Sequence, residues 1–338
     1  MGEALMFRAG GDSAGGGKWD LITTIYNTNQ TYTVPVGAKN NEFHIRIFGG
    51  GGDGRVQFSD DATGTAGAGG WMNFQTLTLT PGEAIPITIG KNGSSGGTTS
   101  FGTYLSANGG EGYSIGYTWS STYAASGGSG AGAIGMSNRT SFPHTNRVES
   151  FWKGGNGYQF GGGGVIGYAN AANANNGCFG GTYFGSIYGG GNGAISNIHN
   201  STNSKNSENG VNTISIIDES DTINADGIGY GQKGSGLAAG GGGYGANGGN
   251  GPAGGGGGYG KAGYGGDGVI YNYNHAPESK YYSYIAYVPG GGGSYGHGAT
   301  YNKETATYGG GGSGCGSDSI YSRGASGICI IQYYAKTE

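Results

Sequence analysis

The sequence predicts an all-β protein with little or no α-helix, in which a β sandwich built from both ends of the chain carries an inserted bundle of polyglycine II helices. Short segments of alternating apolar residues lie near both ends of the chain. Glycine accounts for 85 of the 338 residues and dominates the sequence between those segments. No segment shows the 3.6-residue apolar period of an amphipathic helix, which leaves strands and extended glycine helices as the elements.

The composition argues for a folded chain in spite of its glycine content. Glycine and proline together make up 92 of 338 residues (85 plus 7), a bias that is typical of low-complexity or disordered chains. However, the chain contains 26 tyrosines, whereas disordered chains are poor in aromatic residues. Charged residues make up only 11% of the chain, so charge repulsion does not hold it open. Disorder of the whole chain is the alternative.

Composition also argues against several classes of partner. The net charge is −4 with 16 Lys and Arg residues, so the basic surface that nucleic acid requires is missing. No apolar run of 18 residues occurs, which argues against membrane insertion, and the N-terminus lacks the basic and apolar regions of a secretory signal peptide. Cys178, Cys315 and Cys329 form neither a disulfide framework nor a metal-binding cluster.

Five segments carry the pattern of β-strands. In chain order they are Glu42–Phe48, Trp71–Leu79, a segment with Ile85, Ile87 and Ile89 on one face, Thr98–Leu105 and Gly327–Tyr334. Thr80–Glu83 is typical of a turn, because proline and glycine occupy its first and second central positions. Both faces of Gly327–Tyr334 are apolar, which predicts a strand covered on both sides.

A tract between Ala238 and Gly268 places glycine at every third position. These glycines are Gly242, Gly245, Gly248, Gly251, Gly254, Gly257, Gly260, Gly263 and Gly266. Polyproline II geometry has three residues per turn, so the glycines would form a bare edge of an extended helix. Collagen needs far more proline than the single Pro252 of this tract. Polyglycine II helices instead pack side by side and pair their backbone N–H groups with neighbours. We therefore expect the tract to fold back near residues 247–250 and 261–263.

Further glycine runs could supply more helices to the same bundle. They are Gly127–Gly135, Gly154–Gly167, Gly189–Gly193, Gly290–Gly298 and Gly309–Gly316. Ordering one residue costs roughly 1–2 kcal/mol of backbone entropy, whereas a hydrogen bond contributes about 1 kcal/mol net. Such a bundle should therefore depend on the sandwich and on tyrosines packed along its outer edges. The alternative is that the glycine runs are mobile linkers.

Segments between the glycine runs are aromatic and polar. Tyrosine and tryptophan mixed with asparagine and serine resemble the composition of antibody paratopes, and aromatic rings can stack on sugar faces. The candidate receptor-binding residues are Tyr117, Trp119, Phe142, Trp152, Tyr273, Tyr281, Tyr282 and Tyr284. The alternative is that these aromatic residues only cap the bundle.

No motif predicts catalysis or metal binding. Copies of Gly-x-Gly-x-x-Gly neither follow a strand nor open a helix, and no Gly-Lys pair is followed by Ser or Thr. The five histidines lack the spacing of metal ligands. Residues 218–226 are acidic and could bind Ca²⁺, but they lack the EF-hand spacing and are more simply a solvated loop. We expect no metal, no cofactor and no enzymatic activity.

The β segments resemble the glycine-rich proteins of bacteriophage tail fibres. The shared features are a Tyr-Thr-Val-Pro-x-Gly opening (Tyr32–Gly37), a Thr-Pro-Gly-Glu turn (Thr80–Glu83), a Gly-Gly-Thr-Thr-Ser-Phe-Gly step (Gly96–Gly102) and an apolar strand after a glycine run (Gly324–Tyr334). The central part is similar to tail-tip adhesins whose polyglycine II bundles carry host-binding loops. The chain is also similar to the glycine-rich domain of anaplastic-lymphoma-kinase-type receptors, which inserts glycine helices in a tumour-necrosis-factor-like sandwich. It differs from that domain in its few cysteines, and from the adhesins in its leader and its sandwich.

The resemblance implies a domain plan and a function. Residues 1–31 would be a leader or attachment segment, residues 32–106 with 324–338 a TNF-like or jelly-roll-like sandwich, and residues 107–323 the inserted bundle. The implied protein is a non-enzymatic tail-fibre tip, made in the host cytoplasm and carried on the virion. It would bind a saccharide or an outer protein of the bacterial surface and contact other virion tail proteins. A purely structural virion protein and a fibre-associated depolymerase are the alternatives. The oligomeric state is open, a trimeric fibre being one option.

Overall fold

A computed structural model describes a set of separate segments of the chain. These are residues 5–10, 19–57, 63–112, 134–136, 166–168, 195–197, 202–205, 235, 246–251, 254–258, 263–267, 269–274, 283–288, 291–300, 305–312 and 323–336. The strands are β1 Leu5–Gly10, β2 Trp19–Tyr26, β3 Gln30–Thr33, β4 Glu42–Phe48, β5 Arg55–Gln57, β6 Thr63–Thr65, β7 Met72–Thr78, β8 Ala84–Thr88, β9 Thr99–Phe101, β10 Leu105–Ala107, β11 Ile134–Met136, β12 Ile166–Tyr168, β13 Ile195–Asn197, β14 Thr202–Lys205, β15 Val269–Asn274, β16 Ser283–Val288 and β17 Ile328–Lys336. In this part of the chain the only helical element is a 3-10 turn at Lys39–Asn41, so the prediction of an all-β protein is confirmed.

The strands form four sheets. A five-stranded antiparallel sheet has the order β1-β2-β17-β4-β7, and a four-stranded antiparallel sheet has the order β10-β9-β8-β3. A six-stranded mixed sheet has the order β14-β13-β12-β11-β6-β5, and β15 pairs with β16 alone. In the five-stranded sheet, β17 lies between β2 and β4, although it comes from the C-terminal part of the sequence. Both ends of the chain therefore build the sandwich, as predicted.

Four of the five predicted strands are found, and the ends of β7, β8 and β17 differ from the prediction by one or two residues. Strand β4 has the predicted bounds, and the Thr80–Glu83 turn has a Glu83 N–H that donates to the Thr80 oxygen at 3.0 Å, with Gly82 at φ +83°. This is a type II turn. The predicted strand Thr98–Leu105 is instead a hairpin of β9 and β10, because Gly102 adopts φ +53° and reverses the chain.

Residues 19–26, which the sequence analysis assigned to a leader, form β2 inside the five-stranded sheet. Thr23 and Asp20 are buried there, although both are polar. Gln332 of β17 donates from Nε2 to the Thr23 hydroxyl at 3.1 Å, and Arg46 of β4 donates from Nη2 to Gln332 Oε1 at 3.1 Å. A buried polar row therefore crosses three neighbouring strands. The sheet reaches further toward the N-terminus than the alternating apolar pattern indicates.

The main core lies between the two antiparallel sheets of the sandwich. Phe43, Ile45 and Ile47 of β4 are fully buried against residues of the four-stranded sheet, among them Phe101. Tyr32 bridges the sheets, with ring centroids 6.3 Å from Phe43 and 5.9 Å from Phe101. Aromatic pairs at such separations stabilise a core beyond the area that they bury.

The outer face of the five-stranded sheet is also covered, as predicted for the last strand. Ile328 and Ile330 of β17 pack with Phe48 and Met72 in a second apolar cluster. The fifth buried member is Tyr295, which comes from a glycine-rich segment and lies 5.1 Å from Phe48 between ring centroids. The glycine-rich part of the chain therefore packs directly on the sandwich.

Alkaline pH should destabilise the sandwich. Burial raises the pKa of Tyr26 to about 12 and raises those of Tyr32 and the Cys329 thiol well above their usual values. The unfolded chain releases its tyrosine protons near pH 10, whereas the folded chain keeps them. The free energy of unfolding should be constant with respect to these groups below about pH 8, begin to fall as the thiol of the unfolded chain ionises near pH 9, and fall further through the tyrosines as the pH rises toward 12. Urea denaturation at pH 8, 9, 10 and 11 measures this fall.

Tyr32→Phe provides the matched variant. The Tyr32 hydroxyl is buried, and no partner for it occurs among the described residues, so its removal should leave stability at pH 8 nearly unchanged. The variant should then lose less stability than the unmodified chain between pH 9 and 11. Identical pH dependence of the two proteins would contradict the assignment.

Glycine-rich segments beside the sandwich are joined by hydrogen bonds with a threefold pattern. Along 49–53, Gly49 and Gly52 donate to the segment 66–71 at 2.8 and 2.9 Å, while Gly51 donates to Ala325 at 2.8 Å and Gly50 to Gly97 at 2.9 Å. Successive N–H groups therefore reach three different neighbours, and the fourth returns to the first. A β-strand cannot do this, because its N–H groups alternate in one plane. The pattern is that of polyglycine II helices, with three residues per turn.

Neighbouring segments repeat this arrangement. Gly67 and Gly70 donate to the segment 309–312, whereas Ala68 and Trp71 donate to 108–111. The described segments of the bundle are 49–53, 66–71, 90–93, 95–97, 108–112, 246–251, 254–258, 263–267, 291–294, 296–300, 307–312 and 323–327. Several of them continue sandwich strands and lie outside residues 107–323, where the sequence places the bundle. The limits of the domains stay a prediction.

Close backbone packing explains the glycines of the bundle. A Cβ atom added at Gly254 or Gly257 would lie 2.0 or 2.4 Å from a backbone oxygen of the preceding segment. Gly266 has the same property, at 2.1 Å from the Ala299 oxygen. Gly249 and Gly265 lie outside the every-third set and are equally close to backbone, so the packed positions are not limited to one edge. Of the predicted edge, Gly242, Gly245 and Gly260 lie outside the described residues.

The tract between Ala238 and Gly268 folds back twice. Gly249 donates to Gly255 at 2.8 Å, which makes 246–251 and 254–258 antiparallel neighbours. Gly258 donates to Gly263 at 2.7 Å, which pairs 254–258 with 263–267 in the same way. The first reversal therefore lies between residues 251 and 254, later than predicted. The second lies between 258 and 263 and overlaps the predicted place.

Candidate functional site

The bundle has two ends that the chain path distinguishes. At the sandwich end, Gly49 follows β4, Trp71 precedes β7 and Gly327 precedes β17. The segment 263–267 starts at this end, because Gly263 packs against Gly293, next to Ser294, whose hydroxyl donates to the Gly70 oxygen at 3.2 Å. It therefore ends, at Asp267, on the opposite side.

We call that opposite side the far end and define it by Asp53, Asn250, Asp267 and Thr300. Strands β5 and β6 connect the far ends of 49–53 and 66–71. Strands β15 and β16 connect the far ends of the segments 263–267 and 291–294. Strand β16 also lies close to β6 and β11. The far end of the bundle thus carries a second layer of β structure.

Side-chain oxygens satisfy backbone N–H groups at the far end. Asp267 Oδ1 accepts from the Asn250 N–H at 2.7 Å, and the Thr300 hydroxyl accepts from the Asp267 N–H at 2.9 Å. Asn250 Oδ1 in turn accepts from the N–H and the hydroxyl of Ser235 at 2.9 and 2.7 Å. These hydrogen bonds resemble the N-caps of α-helices. They provide side-chain acceptors for backbone N–H groups that are not paired with the backbone of a neighbouring segment.

Asp53 has the same role for a sandwich-derived segment. Its Oδ1 accepts from the Gly324 N–H at 2.8 Å and from Asn92 Nδ2 at 3.1 Å. Three of the far-end residues precede glycine, in the dipeptides Asp53-Gly54, Asn250-Gly251 and Asp267-Gly268. Sequence reasoning missed these capping residues, and the Asx-Gly dipeptide after a glycine run is the signal that could have found them.

The structure brings two of the eight candidate receptor-binding residues together. Tyr273 of β15 and Tyr284 of β16 are direct register partners across the hairpin that the far end carries. Tyr117, Trp119, Phe142, Trp152, Tyr281 and Tyr282 lie outside the described residues. The pairing follows from the strand register, which the sequence analysis did not predict.

The described residues show no constellation typical of a metal site or a membrane span. Within the described segments, no group of three or more His, Cys, Asp and Glu residues could hold a metal ion. No helix in the same segments is long and apolar enough to cross a membrane. The acidic segment 218–226 lies outside them. Comparison with protein-family models, curated protein sequences and solved structures finds no match for this chain.

Proposed function

We propose that this protein is a non-enzymatic bacteriophage adhesin, located at a tail-fibre tip, which binds a bacterial surface receptor with the β structure beyond the far end. The observation that carries the proposal is the Tyr273–Tyr284 pair on a hairpin that leaves the bundle at Asp267 and re-enters it at Gly291. Tyrosine is enriched at the centres of binding surfaces, because a large ring buries area with little loss of side-chain freedom.

The bundle suits this function because it needs almost no side chains. Its segments are held by backbone hydrogen bonds of 2.6 to 3.1 Å and by contacts between glycines. The connecting segments can therefore vary in sequence without disturbing a packed side-chain core. Residues in such connections are those that most often carry binding functions.

Binding to cells is the direct test. Labelled full-length protein should adsorb to at least one strain of a bacterial panel, and Tyr273→Ala with Tyr284→Ala should reduce this adsorption more than about tenfold. The control is Tyr308→Ala, because Tyr308 is 38% exposed and lies at the sandwich end of the bundle. Circular dichroism would verify that both variants fold.

A structural virion protein is the second candidate. The capped and cross-bonded bundle favours it, since a rigid body of this kind can serve as a spacer. If the unmodified protein adsorbs to none of the strains but is incorporated into phage particles, the structural function is favoured and the adhesin function is rejected.

A further inference from the structure

Strand β7 is an edge strand that lacks the usual protection against pairing with another strand. It ends the five-stranded sheet and pairs with β4 alone, in an unbroken register from Met72 opposite Phe48 to Thr78 opposite Glu42. Its residues, MNFQTLT, include no charged residue, no proline and no glycine. Natural proteins block exposed edges with charges, proline, bulges or very short strands. An edge such as β7 is therefore a surface to which another strand can be added.

The other edges of the two sandwich sheets differ from β7. Strands β3 and β10, the edges of the four-stranded sheet, have four and three residues. Strand β1, the other edge of the five-stranded sheet, contains Arg8. Short strands offer few backbone groups, and a charge on an edge opposes pairing with a second copy. Among these edges, β7 has the length and the composition that favour pairing.

The hydrogen bonds at both ends of β7 show which of its backbone groups face outward. The Gly49 N–H donates to the Trp71 oxygen at 2.8 Å, and the Leu79 N–H donates to the Asn41 oxygen at 3.0 Å. Hydrogen-bonded pairs alternate with non-bonded pairs along an antiparallel ladder, so the odd-numbered residues of β7 bond to β4. The even-numbered residues therefore direct their N–H and C=O groups away from β4. For three of them these groups meet no backbone partner in the described part of the chain, namely Phe74, Thr76 and Thr78.

The open part of this edge lies away from the bundle. Next to the bundle, Asn73 Nδ2 donates to the Ser106 oxygen of β10 at 3.0 Å, and the Trp71 N–H donates to the Asn108 oxygen at 2.8 Å. Residues 74–78 continue beyond this contact, and each of them is exposed or half-buried. The edge thus offers a stretch of five residues to a further strand.

This stretch is complementary to a second copy of itself. In an antiparallel pair centred on Thr76, this residue lies opposite Thr76 of the second copy, Phe74 lies opposite Thr78, and Gln75 lies opposite Leu77. Even-numbered residues then meet even-numbered residues, so the outward backbone groups of one copy bond to those of the other. Threonine pairs and pairs of an aromatic with a β-branched residue stabilise neighbouring strands, and no like charges are opposed.

We propose that the free protein dimerises about a twofold axis through residues 74–78 of β7, which joins the five-stranded sheets of two copies into one continuous sheet. The antiparallel pairing directs the two bundles to opposite sides, so the inference concerns the protein in solution and does not depend on the proposed adhesin function. The contact is smaller than the roughly 20–30 residues per partner of a standard interface, so association should be reversible.

Sedimentation velocity of the full-length protein tests the dimer directly. One chain has a mass of 33.7 kDa. Between about 1 and about 200 µM protein, the mean mass should rise from this value toward twice this value, as expected for a weak interface. A constant monomer mass over this range would overturn the proposal, and so would a trimer.

Opposite charges at the centre of the pair test its register. Thr76→Lys and Thr76→Glu should each sediment as monomers, because like charges then lie directly opposite each other across the axis. An equal mixture of the two variants should form dimers again, since lysine then faces glutamate. Thr33→Lys, the same change on the exposed edge strand β3, is the matched control and should leave dimerisation unchanged. A dimer that persists in either charged variant, or a mixture that stays monomeric, would overturn the register.

Hydrogen exchange of the unmodified protein decides the matter if the charged variants misfold by circular dichroism. The amides of Phe74, Thr76 and Thr78 should exchange at least about fivefold more slowly in concentrated than in dilute solution, because pairing gives them acceptors. The amides of β3 should exchange at the same rate in both solutions. Equal rates for the three β7 amides in both solutions would overturn the proposal.

Discussion

Gly67→Ala should remove most of the stability of the bundle. A Cβ atom at this position would lie 1.8 Å from the Gly52 oxygen and 2.4 Å from the Gly52 carbonyl carbon. Both atoms belong to backbone that is hydrogen-bonded on other sides, so neither can move away alone. We expect a loss of at least about 3 kcal/mol in the free energy of unfolding, the upper end of the range for overpacked cores. Urea denaturation followed by circular dichroism measures it.

Ala68→Gly is the matched control, one residue further along the same segment. Ala68 is fully buried but carries a Cβ atom that the bundle accommodates. Removing this Cβ atom should lower the free energy of unfolding by only about 0.5–1 kcal/mol, mainly because glycine has greater freedom in the unfolded chain. Gly93→Ala is a graded case, because its added Cβ would meet the Ser95 oxygen at 3.1 Å and should cost less than the change at Gly67. Unchanged stability of Gly67→Ala would show that close packing does not explain the glycines.

The same reasoning applies to the glycine tract that the sequence singled out. Gly254→Val would bring side-chain carbon within 2.0 Å of the Gly249 oxygen, in a segment that is not continuous with any of the described strands. The segment that contains Gly67 is continuous with strands of the protein, so Gly67→Ala should also destabilise the sandwich. Gly254→Val should destabilise only the neighbouring glycine segments, 246–251 and 263–267. Amide hydrogen exchange resolved along the chain would distinguish the two results.

Strand prediction succeeded where one face of a strand is apolar and failed where burial involves polar groups. Strand β4 alternates Phe43, Ile45 and Ile47, and its observed bounds match the prediction. Strand β2 does not alternate, because Thr23 is buried and bonded to Gln332 from the other end of the chain. A partner so distant in sequence leaves no local pattern.

The bundle was predictable in kind but not in extent. A period of three becomes visible only over several turns, as in the tract between Ala238 and Gly268. The segment 49–53 contains fewer than two turns, yet its N–H groups bond to segments from three regions of the chain. Hydrogen bonds of this kind depend on which segments meet, and this information is not local.

The candidate site shows the same limit. Composition indicated Tyr273 and Tyr284 separately, because both lie in an aromatic and polar segment. Their pairing depends on the register of two strands, and a shift of one residue would move every side chain to the other face. Asp53 and Asp267 were not selected, since their role requires a neighbouring segment whose N–H lacks a partner in the regular ladder.

Tyr295→Ala should separate the bundle from the sandwich. Tyr295 is 8% exposed. It comes from the bundle and packs in the apolar cluster that contains Phe48 and Met72. Truncation of a buried aromatic residue typically costs about 3–5 kcal/mol, because packing is lost and a cavity is left. Denaturation followed by two probes, peptide circular dichroism and tyrosine fluorescence, should show one transition for the unmodified chain and two for the variant.

Tyr308→Ala tests whether any aromatic residue at this end would have the same effect. Tyr308 lies 6.2 Å from Tyr295 between ring centroids but is 38% exposed, so its truncation should cost less than about 1 kcal/mol and leave a single transition. Coincident transitions in Tyr295→Ala would mean that the hydrogen bonds between 49–53 and its neighbours suffice to couple the two parts. If the transitions separate, the far end loses its rigid connection to the sandwich. For the proposed adhesin, adsorption per folded molecule should then persist, while transmission of force from a receptor through the sandwich should weaken.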